Sequence, residues 1–347
     1  MSDKPHFIIA TLSDRYDLTW ERDVIAEADD FDAELRAVPT ENFEPPIDEI
    51  RDADALLITS RNNISRALIE QMPNLKVISK YAVGLDHIDL DAATDHGVVV
   101  THFPDYCTNE VADHAMALIL ACNRRVVQLD RDLREGAWTQ GEHHTDAILR
   151  GPVPALRELT LGIIGYGRIG RAVARRAAPF GLKIIAADPY VDPSTVGDIE
   201  LVPLDELLDR ADLVTIHAPL TDETRGLLGE AELKRLKPTA FVINTARGPI
   251  IDMQAASDWA KANPQGGLAL DVVDPEPLPQ DSPLYSLPNV ILTPHSAYYS
   301  LKSVAILREE SLLAALEVLR GRQPRVVANP AVLDRLDLKP VALPVIA

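Results

Sequence analysis

Six residues, Gly165-Tyr166-Gly167-Arg168-Ile169-Gly170, stand between an apolar run (Leu159 to Ile164) and a helix-compatible one (Ala172 to Phe180). A chain that passes from strand to helix through glycines at this spacing has few options. The first glycine permits the tight turn, the second lets backbone approach a ligand closely, and the third lets the helix lie close on the sheet. Free N–H groups at the helix start, at the positive end of its dipole, then face an anion. Asp188 ends the next apolar run, 18 residues past Gly170. A carboxylate there accepts hydrogen bonds from ribose hydroxyls and repels a 2′-phosphate. The pattern predicts a dinucleotide site of the Rossmann kind, with Gly165, Gly167, Arg168, Ile169 and Gly170 at the phosphates and Asp188 at the ribose. It favours NAD over NADP. Glycine-rich turns also arise for steric reasons alone, so the weight rests on the strand before, the helix after and the acid beyond.

The chain of 347 residues is long enough for two domains, each with its own core. From Phe7 to Phe103 short apolar runs (FIIATL, ALLITS, KVISKYAV, VVVTHF) alternate with polar stretches, which predicts a parallel α/β domain. A second series, LTLGIIG, KIIAAD, LVTIHA, AFVINTA, GLALDVV and NVILTPH, supplies the six strands of a dinucleotide-binding sheet. Long helices are expected at Asn109 to Arg125 and Leu301 to Arg320, crossing between the domains so that the C-terminal tail returns to the first. The expected fold is therefore α/β, two doubly wound parallel-sheet domains. The boundaries are 1–105 with 305–347 for one domain and 106–304 for the other.

A formal charge of -19 argues against nucleic-acid partners, which require a basic face. No apolar stretch is long enough for a membrane span, and the start of the chain lacks a signal-peptide core. Cys107 and Cys122 are too few for a disulfide framework and lack metal-ligand spacing. A cytoplasmic protein is expected. His143 and His144, flanked by Glu142 and Asp146, read as an exposed loop rather than a metal site, and no metal is expected.

Three residues sit at or beyond the ends of later strands, where open parallel sheets place their ligand crevice: Arg247 after INTA, Glu276 after the strand ending at Asp271, and His295 after ILTP. Transfer of a hydride between a 2-hydroxy acid and a nicotinamide needs a group to hold the carboxylate and a group to move the hydroxyl proton. The planar fork of an Arg serves the first and a His the second. A neighbouring Glu orients the imidazole and keeps a proton at hand. Singly each has a plain structural reading; the ordered trio after a nucleotide fingerprint does not.

The segments INTARGPIID, ALDVVDPEPLP and LTPHSA, with NLKVISKYAVGLDHIDL and NEVADHAMALIL, closely resemble the signatures of the D-isomer-specific 2-hydroxyacid dehydrogenases over nearly the whole chain. Within that family TPHSAYYS and the following REE are most similar to the branch holding the C-terminal-binding proteins and their bacterial relatives. The resemblance implies an NAD-dependent oxidoreductase interconverting a 2-oxo acid and a D-2-hydroxy acid. Arg247 would bind the substrate, His295 act as general acid/base and Glu276 serve as its partner. Asp271, Thr245 and Ala246 would lie along the cofactor, and the backbone at Val83 and Gly84 would reach the substrate carboxylate. It further implies a cofactor domain inserted in a discontinuous, flavodoxin-like lid domain, and a homodimer built through an arm near 125–155. The branch likeness raises an alternative, an NADH-sensing corepressor. Thr59 and Ser60 stand where many relatives carry an Arg-Ser pair, with Arg61 displaced by one, which argues against a phosphate-bearing substrate. Tyr298 stands where the corepressors carry a Trp.

Overall fold

A computed structural model of the chain describes residues 4–13, 17–59, 61–137 and 152–340. Ser60, His143, His144 and the distal part of the expected arm lie outside the described residues. The chain divides into two compact units, Met1–Tyr106 with Leu301–Ala347, and Cys107–Ser300.

The first unit alternates strands and short helices: β1 (His6–Thr11), α1 (Thr19–Ala26), β2 (Asp32–Ala37), α2 (Ile47–Ile50), β3 (Ala55–Ile58), α3 (Arg66–Ile69), β4 (Val77–Lys80), α4 (Leu90–Asp95) and β5 (Val99–Thr101). The sheet is parallel in the order β2-β1-β3-β4-β5, the flavodoxin-like arrangement. Alternate strand residues face opposite sides. Ile9, Leu57, Val77 and Val99 join one core layer with Leu312, Leu316 and Leu319. Ala10, Leu56, Ile58, Ile78 and Val100 join the other with Ile50, Leu68 and Ala92.

In the second unit α5 (Thr108–Arg124) and α6 (Val126–Arg134) precede β6 (Thr160–Ile164), α7 (Arg168–Ala177), β7 (Lys183–Ala187), β8 (Glu200–Leu201), α8 (Leu204–Arg210), β9 (Leu213–Ile216), α9 (Glu230–Arg235), β10 (Phe241–Asn244), α10 (Met253–Ala262), β11 (Gly267–Leu270) and β12 (Val290–Leu292). Helix α5 stops where Arg125 turns left-handed at φ 55°. The seven strands run parallel in the order β12-β11-β10-β9-β6-β7-β8. Their direction of succession reverses between β6 and β9, and such a switch point opens a crevice at the C-terminal ends of the strands. Helix α11 (Leu301–Leu319) then belongs to the first unit. There the Ser79 hydroxyl donates to the Ser311 carbonyl, and Arg308 grips the fully buried Glu21 carboxylate at 2.8 and 2.6 Å.

Two strands of these two sheets were not legible in the apolar runs. Strand β2 pairs along one edge only and buries just Leu35, so its sequence, DAELRA, carries no continuous apolar run. Strand β8 is a two-residue edge, which makes the second sheet seven-stranded where six strands were expected.

Candidate active site

The three glycines of the turn answer to different constraints. Gly165 has φ 87°, and a Cβ there would lie 2.5 Å from the Ala218 nitrogen and 2.7 Å from the His217 carbonyl carbon. The first turn thus needs glycine both for its dihedral and for the close passage of the β9 end. A Cβ on Gly170 would collide with the Gly165 carbonyl oxygen and press on Ile163 Cγ2 at 3.2 Å. Gly167 differs: its φ of -78° suits any residue, and among the described residues beyond its chain neighbours no heavy atom lies within 4 Å of a Cβ placed there. Packing does not require glycine at 167, and the open cradle fits a dinucleotide phosphate at the start of α7. Arg168 is exposed as the first residue of α7, followed by the half-buried Ile169. Arg171 instead fastens the turn, lying over the Tyr166 ring at 4.8 Å and donating to Thr195.

Asp188 follows β7 at the same end of the sheet. Its carboxylate accepts the Tyr166 N–H of the glycine turn at 2.8 Å and the Tyr190 N–H at 3.0 Å. Two backbone donors hold it, and the remaining lone pairs of its oxygens suit ribose hydroxyls. The Tyr190 hydroxyl donates to Glu223 across the neighbouring loop.

Arg247 ends the loop after β10. The Asn244 side chain organises that loop, donating to the Arg247 carbonyl at 2.8 Å and accepting the Ala246 N–H at 3.0 Å. A Cβ on Gly248 would collide with the Val273 carbonyl, so the Arg247 loop lies flush on the segment that leads to Glu276. The half-buried Arg247 guanidinium donates to the Ala246 carbonyl at 2.7 Å. Thr245 is buried, with no hydrogen-bond partner for its hydroxyl among the described residues.

His295 Nδ1 lies 2.8 Å from Glu276 Oε1, and both side chains keep about a quarter of their surface (26% and 22%). The carboxylate accepts only, so Nδ1 carries the proton and Nε2 is left to face a reactant. His295 adopts φ 53°, a left-handed conformation uncommon outside glycine. Asp271 holds that conformation: its carbonyl accepts the His295 N–H at 2.8 Å, and its fully buried carboxylate accepts the N–H groups of Ser296 and Ala297, both at 2.9 Å. The Thr293 hydroxyl adds a third donor at 2.6 Å. Tyr298 meets the imidazole edge to face at 6.5 Å.

The second unit thus brings together Arg247, Glu276, His295 and Asp271 on neighbouring loops. Val83 and Gly84 lie in the first unit just beyond β4, where the Val83 carbonyl contacts His102 Nδ1 at 2.8 Å. Two polar residues escaped the sequence reading. His217, directly after β9, contacts Thr215 Oγ1 through Nε2 at 2.9 Å, while its covered Nδ1 has no hydrogen-bond partner among the described residues. The residue as a whole is half-buried, yet enclosure of the ring pushes its pKa down to about 3. His114 on α5 reaches Thr293 Oγ1 at 3.1 Å. The signals available were the HAP step at a strand end and a lone His in an apolar helix. Among the described residues no group of three or more His, Cys, Asp or Glu is placed to hold a metal, and no helix is long and apolar enough to cross a membrane.

Residues 116–297 match the family model described as "D-isomer specific 2-hydroxyacid dehydrogenase, NAD binding domain". A glyoxylate reductase of Thermofilum pendens is 40% identical over 297 residues, 85% of this chain and 86% of its own. A D-3-phosphoglycerate dehydrogenase of Mycobacterium tuberculosis is 37% identical over 289 residues, 83% of this chain but 50% of that longer protein. The crystal structure of a D-lactate dehydrogenase from Aquifex aeolicus, complexed with NAD and lactic acid, superposes with a TM-score of 0.78 at 28% identity, covering 95% of this chain and 98% of that one. These relatives correct the placement nearest the C-terminal-binding proteins, because the similarity runs to glyoxylate reductases and phosphoglycerate dehydrogenases. The physical reason lies in the HSAYYS segment itself. The Asp271 carboxylate accepts the N–H groups of Ser296 and Ala297, so the start of that segment serves the His295 loop, a task that does not depend on the branch.

Proposed function

Since the chain belongs to the D-isomer specific 2-hydroxyacid dehydrogenase family, we propose that it interconverts a 2-oxo acid and a D-2-hydroxy acid with NAD(H), His295 being the general acid/base. The observation that carries this reading is the 2.8 Å contact between His295 Nδ1 and Glu276 on a loop braced by Asp271. The bound nicotinamide would supply or take the hydride. His295 Nε2 then gives a proton to the carbonyl oxygen during reduction, or removes one from the hydroxyl during oxidation. Glu276 holds the ring in the tautomer that leaves Nε2 free for this exchange. Arg247 is proposed to clamp the carboxylate, with Val83 and Gly84 as further carboxylate-binding positions.

The open cradle at Gly167 supports dinucleotide phosphate binding along Gly165, Arg168, Ile169 and Gly170, with Thr245, Ala246 and Asp271 further along the cofactor. The fixed Asp188 carboxylate supports NAD over NADP. Likeness to glyoxylate reductases and a D-lactate dehydrogenase favours a small 2-oxo acid. At the positions that argued against a phosphate-bearing substrate, Thr59 is engaged by Asn62, and Arg61 lies over the Phe43 ring at 4.7 Å. A homodimer through the arm that begins at α6 is part of the proposal; Val126 and Val127 are exposed at its start, and light scattering on the purified protein tests it.

The test is NADH oxidation over 2-oxo acids of graded size, with NADPH as control, for the parent and for His295→Asn. Loss of general acid/base action should lower kcat about 10²- to 10⁴-fold, with NADH affinity retained. Undiminished turnover in His295→Asn would remove that residue from its role.

A further inference from the structure

We propose that His114 is a positioning residue for the His295 loop, acting through Thr293 and Asp271 as a donor relay that runs from helix α5 to the end of the sheet. The proposal rests on the reading of His295 given above. A threonine hydroxyl has one proton, and Thr293 spends it on Asp271 Oδ1 at 2.6 Å. Its contact with His114 Nε2 at 3.1 Å therefore has the imidazole donating. The same Nε2 lies 3.6 Å from Asp271 Oδ1, so its proton points toward a carboxylate with no exposed surface. That carboxylate holds the Ser296 and Ala297 N–H groups, and its own carbonyl holds the N–H of His295.

A buried carboxylate keeps its geometry only while its donors are in place. Removing the donor at 114 takes one anchor from the Thr293 hydroxyl and one facing N–H from the Asp271 carboxylate, so neither is held as firmly in place. The two amides next to His295 then lose a fixed acceptor, and the left-handed conformation at 295 loses its support. Neither Arg247 nor the glycine turn takes part in this relay. The defect should therefore appear in kcat rather than in the KM of the 2-oxo acid.

Three substitutions separate a donor from mere bulk. The amide nitrogen of Gln reaches the place of Nε2, that of Asn reaches only the place of Nδ1, and Leu keeps volume without a donor. His114→Leu and His114→Asn should each lower kcat about 10- to 100-fold, the size expected for a lost hydrogen bond in a charged buried network, while His114→Gln recovers most of the activity. Amide hydrogen exchange at Ser296 and Ala297 should rise in the Leu and Asn variants and return toward the parent in Gln. Gln and Asn behaving alike, or unchanged exchange in the Leu variant, would overturn the relay. Should His114→Leu fail to fold, Thr293→Val cuts the relay one link later and carries the same expectations. The exchange readout needs no turnover, so failure of the relay stays distinguishable from a wrong role for His295, which His295→Asn reports by itself.

Discussion

Gly167→Ala separates the two reasons for which a nucleotide fingerprint can hold glycine, ligand approach and protein packing. Among the described residues beyond its chain neighbours no heavy atom lies within 4 Å of the added methyl, and φ at 167 is an ordinary -78°. Two small effects oppose each other in the cofactor-free protein. Reduced freedom of the unfolded chain stabilises by about 0.4–1 kcal/mol, and Ala caps a helix N-terminus less well than Gly. The net change should stay within about 1 kcal/mol, a shift in Tm of roughly 2–4 °C at most for a unit of this size. Cofactor binding should respond much more, because the methyl occupies the cradle in front of the α7 amides. A 10- to 100-fold rise in the NADH Kd, about 1.4–2.8 kcal/mol, is expected from fluorescence titration.

Gly170→Ala supplies the contrast. Its methyl meets backbone, the Gly165 carbonyl, which cannot swing aside, and Ile163 at 3.2 Å. Overpacking of that kind costs about 1–3 kcal/mol with or without cofactor, so its loss should register in thermal unfolding of the free protein. Gly167→Ala binding NADH as tightly as the parent would refute the placement of the phosphates at this turn. A fall in the Tm of free Gly167→Ala matching that of Gly170→Ala would refute the claim that packing leaves the position open.

Three further expectations follow from single features. Gly248→Ala drives a methyl into the Val273 carbonyl and pushes the Arg247 loop off the Glu276 segment; since misplacement by about 1 Å can cost ~10²-fold in rate, kcat/KM should fall that far in steady-state kinetics, and an unchanged kcat/KM would refute the close fit of the two segments. Asp188→Ala removes the acceptor for the Tyr166 and Tyr190 amides and the repulsion of a 2′-phosphate; NADH affinity should drop about 10-fold and the preference over NADPH should narrow, and an unchanged preference would take Asp188 out of cofactor selection. His217 contributes to acid sensitivity. Its pKa falls from 6.5 to about 3 on folding, so the unfolded chain takes the proton first; the stability owed to the neutral ring is complete above pH 6.5 and is lost as pH falls toward 3. At pH 5 the loss is about 2 kcal/mol, so urea unfolding of the parent should weaken by that much more than His217→Gln between pH 7 and pH 5, and parallel profiles would count against the assignment.

What was legible in the sequence was local. The apolar runs at Ile9, Leu56, Ile78 and Val100 mark strands because these strands are covered on both faces, and a doubly covered strand has no polar side to blur it. Strand β2 lies at the sheet edge, and its one buried residue, Leu35, leaves nothing periodic to detect. The glycines at 165 and 170 announce themselves by spacing, yet only the packed turn distinguishes them from Gly167.

The candidate site divides the same way. Arg247, Glu276 and His295 are visible because each follows a recognisable strand, and a titratable group in that place is chemically conspicuous. What aims them is not visible. His114 and Thr293 are 179 residues apart in the chain, and although each lies in a recognisable segment, nothing in either segment points to the other. Their relation exists only because α5 packs across the sheet whose β11 and β12 ends carry Asp271 and the His295 loop. Asp271 was expected along the cofactor, and the structure gives it a second task that no motif records. A group that must sit in a left-handed turn beside a carboxylate needs its backbone held by something rigid, and a buried anion with three donors at 2.6–2.9 Å provides it. The reacting residues can therefore be read from type and order, whereas the residues that set their geometry are found by following each buried polar atom to its partner.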